Sequence, residues 1–342
     1  MTTNFRSDNE TPVAAAIMDA ILEANQGTAW AYADDKWSTK LDQVFSDLFR
    51  TEAIVLQVST GTVANSIALA TVTPPWGSVF CHSGAHIQND ECGAPEFFGN
   101  GMRLVPVDGE QAKLTPSALE KAINANEGHG VHSYKPTSLS LTQATEGGTV
   151  YSPDEVRALC DSAHGLGMNT HMDGARFGNA IASLGCHPAE VTVEAGIDML
   201  SFGASKNGCM AAEALVIFGQ PQWRETAERL RKRSGHLLSK MRYVSAQLLA
   251  YIEDDRWLKM ASHANRQAAK FAKAIENHAE ASLEYPVQAN EVFMKWTMEG
   301  FDQLKSQGIQ FEVWPGRNDL ARFVFAHSTS DEETDILVNC MR

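Results

Sequence analysis

Met168-Asn169-Thr170-His171-Met172-Asp173-Gly174-Ala175-Arg176 is the stretch on which the architecture of this chain turns. Its first six residues read as a strand. Upstream, an amphipathic helical pattern runs from about residue 153 to 163 and ends at Gly165; downstream, the polarity changes at Asp173. A helix that leads into a short apolar strand ending on turn residues is one unit of a parallel α/β sheet.

The same unit recurs on both sides. Ala53-Ile54-Val55-Leu56-Gln57-Val58 reads as a buried strand, and Ser59-Thr60-Gly61-Thr62 turns it into a helix that starts near Val63. Short β-rich runs follow at 78–81, 103–107 and 138–142, and two more at 197–202 and 214–218 complete the series. Near the N-terminus, Thr11-Pro12 reads as an N-cap and a first-turn proline ahead of Val13-Ala14-Ala15-Ala16-Ile17-Met18. From 222 to about 275 the pattern is helical, with a break near Asp254-Asp255, and weaker strand signals lie at 291–294 and 321–325. These elements predict a mainly parallel sheet covered on both faces in residues 1–247, and a smaller α/β domain in 248–342.

Composition narrows the function. Apolar types make up 44% of the 342 residues, enough for a sizeable core. The net charge of −14 disfavours nucleic acid or an anionic membrane surface as partner, since both demand a basic face. A local cationic pocket for a small anion stays compatible with it. No apolar run approaches the ~18 residues that span a bilayer, and the first residues lack the apolar core of a signal peptide. Cys81, Cys92, Cys160, Cys186, Cys209 and Cys340 are scattered without a CxxC pair, which reads as free thiols in a reducing compartment. The expectation is a cytoplasmic protein with a small-molecule ligand, and neither nucleic acid nor membrane as partner.

Ligands of open parallel sheets collect at the carboxyl ends of the strands, and three polar clusters fall there: 59–62, 173–176, and Ser205-Lys206. Ser59-Thr60-Gly61-Thr62 places free backbone N–H groups at a helix start, where an anion such as phosphate is favoured. An ordinary strand-to-helix turn uses the same residues. No GxGxxG and no GxxxxGK[ST] occurs, so dinucleotide and P-loop readings lose support. Asp173 and Arg176 set an anion and a cation three positions apart, the alternative being a capping aspartate with a surface arginine. Lys206 follows small and apolar residues, where partial desolvation would lower its pKa and expose a nucleophilic free amine. A lone lysine near a strand end is more often a solvated side chain, and it is the combination of clusters that points to chemistry. A phosphate cradle, then an aspartate, then a lysine are the parts of a pyridoxal phosphate enzyme.

The chain resembles a known family at these points. Phe5-Arg6-Ser7-Asp8-Asn9, Ser59-Thr60-Gly61-Thr62-Val63-Ala64-Asn65, Ala85-His86-Ile87, His171-Met172-Asp173-Gly174-Ala175-Arg176 and Ser205-Lys206-Asn207-Gly208 resemble the threonine aldolase group of fold-type-I pyridoxal phosphate enzymes. Within the group, the stretches 91–98 and 231–242 are most similar to bacterial low-specificity L-threonine aldolases. The resemblance implies an aspartate-aminotransferase-like large domain with a mainly parallel seven-stranded sheet, a small C-terminal α/β domain, and a homotetramer built as a dimer of dimers.

It also implies roles. Lys206 would hold pyridoxal 5'-phosphate as a Schiff base, and Asp173 would pair with the ring nitrogen. His86 would stack on the ring and serve proton transfer, its alternative being a packed core histidine. Gly61 and Thr62 would hold the phosphate. Arg176 is expected at the cofactor as well, and Ser7, Arg176 and Arg322 would grip the substrate carboxylate, Arg176 in a bidentate pair. Ser7 reads equally as a helix cap. The implied reaction is retro-aldol cleavage of β-hydroxy-α-amino acids such as L-threonine and L-allo-threonine to glycine and an aldehyde. Phenylserine aldolase activity, β-elimination and transamination are the alternatives within pyridoxal enzymes, and a silent binding scaffold is the alternative outside them.

Two departures stand out. Where many threonine aldolases carry a second histidine in Glu-Asn-Thr-His, this chain reads Thr142-Gln143-Ala144-Thr145-Glu146, which leaves the base for the β-hydroxyl unassigned and predicts low discrimination between diastereomers. The tyrosine usually followed by glycine here begins Tyr32-Ala33-Asp34-Asp35. Arg233, Lys240 and Arg242 are candidate cations for the phosphate or a neighbouring subunit, or a solvated basic face. His82, His86 and Asp90 have the spacing of metal ligands on a helix, but Ser83-Gly84 interrupts that helix, so no metal is expected.

Overall fold

The β-rich runs quoted above become strands whose central residues are buried. The computed structural model describes residues 3–126, 128 and 130–341. After a two-residue strand β1 (Thr3–Asn4) come β2 (Ala53–Val58), β3 (Gly77–His82), β4 (Arg103–Val107), β5 (Lys135–Thr142), β6 (Asn169–Gly174), β7 (Met199–Gly203) and β8 (Glu213–Phe218). The last seven form one sheet in the order β2-β8-β7-β6-β5-β3-β4. All pairings are parallel except those of β8, which runs antiparallel to both β2 and β7. Every residue of β2 and of β8 is buried, as continuous apolar strands covered by helices on both faces require.

On one face lies the helix Gly61–Val72, whose Val63, Ala64, Ile67 and Ala68 pack on Ile54, Leu56, Leu215 and Ile217. On the other face Phe45, Phe49, Phe177, Phe202 and Trp257 form an aromatic cluster, with Phe177 and Trp257 stacked at 6.0 Å. Burial of each such side chain contributes about 1.5–3 kcal/mol. The helix Pro153–Gly165 opens with a reciprocal capping box between Ser152 and Glu155.

The expected N-terminal helix starts later than the Thr11-Pro12 signal implies. It spans Ala15–Ala24, and Thr11 instead ends a short 3-10 turn (Asp8–Glu10) with extended dihedrals. The reason is tertiary: the chain stays extended until the Ala14 N–H donates to the Gly208 carbonyl at 2.9 Å, which ties the N-terminal segment to the loop after β7.

A four-stranded sheet in the order β12-β13-β10-β9 follows, from β9 (Ser282–Leu283), β10 (Glu291–Lys295), β12 (Glu312–Val313) and β13 (Leu320–Val324). β11 (Ile309–Gln310) pairs in parallel with β1, and Phe5 lies in the same apolar cluster as Phe271, Phe323 and Phe325, so the start of the chain packs with its C-terminal region. The long helix Arg256–Glu276 serves both cores, with Trp257 in the large one and Ala268, Phe271 and Ile275 in the small one. A division at 247/248 passes through the helix Arg242–Ile252, whose Val244, Leu248 and Tyr251 all sit in the large core.

The topology gathers one edge. The carboxyl ends of β2, β3, β5, β6 and β7 lie there, together with Glu213 at the start of antiparallel β8, which registers with Val58 and Gly203. Gly203 lets two of these ends meet: a Cβ there would stand 2.5 Å from the Ala175 carbonyl oxygen. Only glycine permits that approach without moving backbone.

Candidate active site

At this edge the three polar clusters line one space. An inner cavity of about 300 Å³ is bounded by Gly61, Thr62, Asn65, His86, Asp173 and Lys206, among others. It adjoins an outer cavity of about 640 Å³ that includes Ser7, Tyr285, Phe293, Trp314 and Arg322. Asn9, His86, Glu146, Arg176 and Lys206 line both.

Each side chain is placed by its neighbours. Lys206 sits in a 3-10 turn (Ser205–Asn207) just after β7. Glu213 accepts from the Ala204 N–H at 2.9 Å, and Asn207 donates to the Tyr251 hydroxyl at 2.7 Å and the Trp257 carbonyl at 2.9 Å. Burial pushes the Glu213 carboxyl up to about 7, against the Ser205 hydrogen bond and the nearby Lys206 charge. The turn is anchored on both sides of the lysine, whose amine makes no hydrogen bond or ion pair among the described residues.

Asp173 is the last residue but one of β6 and is 3% exposed. It accepts from Asn65 Nδ2 at 2.8 Å and the Ala175 N–H at 3.0 Å, which leaves lone pairs for a further donor. Behind it, His171 bridges three strands through Ser140 and Ser201 at 2.9 and 3.0 Å; burial pushes it down to about 4, so it is a neutral spacer.

Asn65 Nδ2 also donates to Glu91 Oε1 at 2.8 Å, and His86 Nδ1 meets the same oxygen at 2.9 Å. The Glu91 hydrogen bond raises the His86 pKa against burial, with Asp173 adding to the rise; burial raises Glu91 in turn. The pair thus lies as a hydrogen-bonded unit in the same network as Asp173, through Asn65.

The helix Gly61–Val72 begins two residues earlier than the sequence suggests. Thr60 is its N-cap, accepting from the Val63 N–H at 3.4 Å, so the Gly61 and Thr62 N–H groups have no intrahelical acceptor. Ser59 Oγ is 3.0 Å from His236 Nδ1. Arg233 and Lys240 are exposed, and Arg242 donates to the Gly27 carbonyl at 3.2 Å; none of the three lines the cavity.

Arg176 is the largest departure from expectation. Its Nε and Nη2 donate to the two Asp8 carboxylate oxygens at 2.9 and 3.1 Å, and Nη1 lies 3.1 Å from Glu291 Oε2. The bidentate face expected for the substrate is occupied by a residue far away in sequence. Burial alone would raise the Asp8 carboxyl, but Arg176 and Lys206 more than offset it and hold it below the usual range. Arg322 is less committed: its contacts to Glu291 and to the Arg6 carbonyl are 3.6 and 3.4 Å, and its Nε is buried without a partner. Ser7 Oγ caps the turn after it, accepting from the Asn9 N–H at 3.2 Å, yet the residue also lines the outer cavity.

Because Arg176 is 7% exposed and pairs with two carboxylates, Arg176→Met should cost about 3–5 kcal/mol by stranding both charges. Urea unfolding checks this, and adding Asp8→Asn should restore part of the loss.

The comparisons with known proteins agree with this geometry. The family model described as beta-eliminating lyase matches residues 4–298. The chain is a member of the beta-eliminating lyase family. The family is pyridoxal-phosphate-dependent. Within it, the chain is 40% identical to the low specificity L-threonine aldolase of Pseudomonas aeruginosa, over all of this chain and 97% of that protein. It is also 40% identical to the enzyme of that name from Pseudomonas sp. strain NCIMB 10558, covering 96% of this chain and 93% of the other. The solved threonine aldolase of Leishmania major superposes with a TM-score of 0.92 at 25% identity, covering 99% of this chain and 98% of that one. The expected fold class, a fold-type-I α/β architecture with a small C-terminal domain, holds.

Three residues in this family site escaped the sequence reading. Asn65 lies one helical turn past Gly61 as a polar residue in an otherwise apolar face, and Glu91 opens a quoted motif; both are signals that could have been weighed. Glu146 was noted only as part of a stretch lacking histidine, though an acidic residue just past the end of β5 belongs at the ligand edge.

Proposed function

We propose that this chain is a pyridoxal-phosphate-dependent aldehyde-lyase that cleaves L-threonine, L-allo-threonine and related β-hydroxy-α-amino acids to glycine and an aldehyde. The observation that carries the reading is the meeting of Lys206, Asp173 and the open helix start at Gly61 around one cavity. Those residues fit the cofactor. A Cβ at Gly61 would meet nothing within 4 Å, so the helix start faces open space; Asn65 Oδ1 and Glu91 Oε2 are buried without partners in the cavity wall.

In this reading Lys206 would hold the cofactor through Nζ, Asp173 would pair with its ring nitrogen, and the Gly61 and Thr62 amides would hold its phosphate. His86, its imidazole fixed by Glu91, would contact the ring. The bound cofactor supplies an electron sink for the bonding pair left at the α-carbon. Arg322, with Ser7, takes the substrate carboxylate and so sets which α-carbon bond can cleave; such orientation supplies up to about 7 kcal/mol or more of barrier reduction. Arg176 holds Asp8 and Glu291 in place by pairing with both carboxylates. The substrate is an amino acid, and the protein works in the cytoplasm as a homotetramer, a dimer of dimers, for which exposed Trp30, Phe97 and Met210 offer apolar surface.

A product assay with threonine tests the reading. Glycine and acetaldehyde support it; ammonia and a keto acid would assign β-elimination instead. Phenylserine belongs in the same assay, because Tyr285, Phe293 and Trp314 give the outer cavity an aromatic wall, with Phe293 5.1 Å from Trp314. L-threonine and L-allo-threonine should be cleaved at comparable rates. A roughly hundredfold gap, on the order of 3 kcal/mol, would contradict that expectation.

A further inference from the structure

The retro-aldol reading needs a group that takes the proton from the β-hydroxyl, and the titratable side chains around the two cavities can be sorted by what they already hold. His82 accepts from the Gly84 N–H through Nδ1 at 3.0 Å and faces the Gly109 carbonyl through Nε2 at 3.2 Å, so neither nitrogen is free. His86 is tied to Glu91 and biased toward its cation. Asp8 and Glu291 are paired with Arg176, and Asp173 holds Asn65. Glu146 alone lies in the wall common to both cavities as a carboxylate with no hydrogen bond or ion pair among the described residues.

Its loop is also fixed. Gln143 extends the strand pairing, its N–H donating to the Asp173 carbonyl at 2.8 Å, and the Thr145 N–H donates to the Thr149 carbonyl at 2.9 Å. Thr145 and Thr149 join through their hydroxyls at 2.7 Å. Gly147 lies against the Tyr285 ring, where a Cβ would come within 3.2 Å. A free carboxylate is thereby presented by a rigid loop where the inner, cofactor-sized space opens into the outer one.

We propose that Glu146 is the general base that removes the β-hydroxyl proton of the substrate, an assignment that rests on the retro-aldol reading. The Glu146 carboxylate takes the proton; the O–H bonding pair becomes the second carbon–oxygen bond of the aldehyde; the Cα–Cβ pair stays on the α-carbon. Protonation of that carbon gives glycine, and loss of the proton from Glu146 restores the base. Burial raises the Glu146 carboxyl, Lys206 and Arg176 pull it down, and Glu291 and Asp173 push it up; His86 faces it as well. A carboxylate raised toward working pH is a better base than a fully solvated one.

The test is Glu146→Gln in the holoenzyme, with two readouts. Cleavage of threonine should fall about 10²–10⁴-fold in kcat with little change in KM, and Glu146→Asp should recover part of it. Exchange of the glycine α-proton in D₂O, followed by NMR, needs no β-hydroxyl and should continue at the wild-type rate. The limb of the wild-type kcat–pH profile that reports an acid losing its proton should vanish in Glu146→Gln. Wild-type cleavage by this variant overturns the assignment. So does a parallel loss of glycine exchange, which would place Glu146 in cofactor handling. Failure of the wild-type protein itself to exchange glycine or cleave threonine would instead sink the functional reading.

Discussion

Lys206→Ala protein is expected to show no threonine cleavage above background. The amine is the nucleophile the site offers in a cavity that also holds Asp173 and an open helix start. The turn that carries it is held by Glu213, Tyr251 and Trp257 through its flanking residues, not through the lysine itself. Removing the side chain should therefore leave the unfolding midpoint near wild type while eliminating turnover. Retained cleavage at the wild-type rate would falsify the assignment outright.

Asp173→Asn should have the next largest effect. An asparagine keeps the volume and can still accept from the Ala175 N–H, but it removes the negative charge offered to a protonated ring nitrogen and sets one amide against the Asn65 donor. Loss of a preorganised electrostatic partner at a developing charge typically costs 10²–10³-fold in kcat, and a drop of about that size is expected here. Glycine α-proton exchange should fall in parallel, because it draws on the same electron sink. That parallel loss separates Asp173 from Glu146, whose replacement should spare exchange. An unchanged kcat in Asp173→Asn would mean that the ring nitrogen is met by some other group.

Which parts of this molecule could be read from sequence follows from physics. The strands of the large sheet announce themselves as short runs between turn residues, clearest in β2 and β8, which are apolar and buried throughout, and fainter in the edge strand β4, which exposes Arg103 and Pro106. The small sheet is fainter because β9 and β12 are only two residues long and exist by pairing with longer neighbours. Its junction with the large domain is hidden for a related reason: one helix, Arg256–Glu276, contributes apolar residues to both cores without any break in its pattern.

At the site, residues that follow a strand or open a helix were legible: Gly61, Thr62, Asp173 and Lys206 all occupy the edge where ligands collect. His86 entered through a motif, and its Glu91 partner could be seen only once the loop was folded. Arg176 shows the limit most clearly. The family resemblance implies a substrate clamp there, but Asp8 reaches it from the other end of the chain, a contact that no local spacing encodes. The same N-terminal segment places Ser7 at the outer cavity and pairs β1 with β11. Glu146 is fainter still in sequence: it lies four positions past the end of β5, and what marks it in the fold is that it has no partner among the described residues.

The most direct measurement is borohydride reduction of the protein purified with its cofactor, followed by digestion and mapping of the modified peptide. A single phosphopyridoxyl adduct on the peptide carrying Lys206 is the predicted result. An adduct on another lysine, or a Lys206 peptide recovered unmodified, would contradict the account.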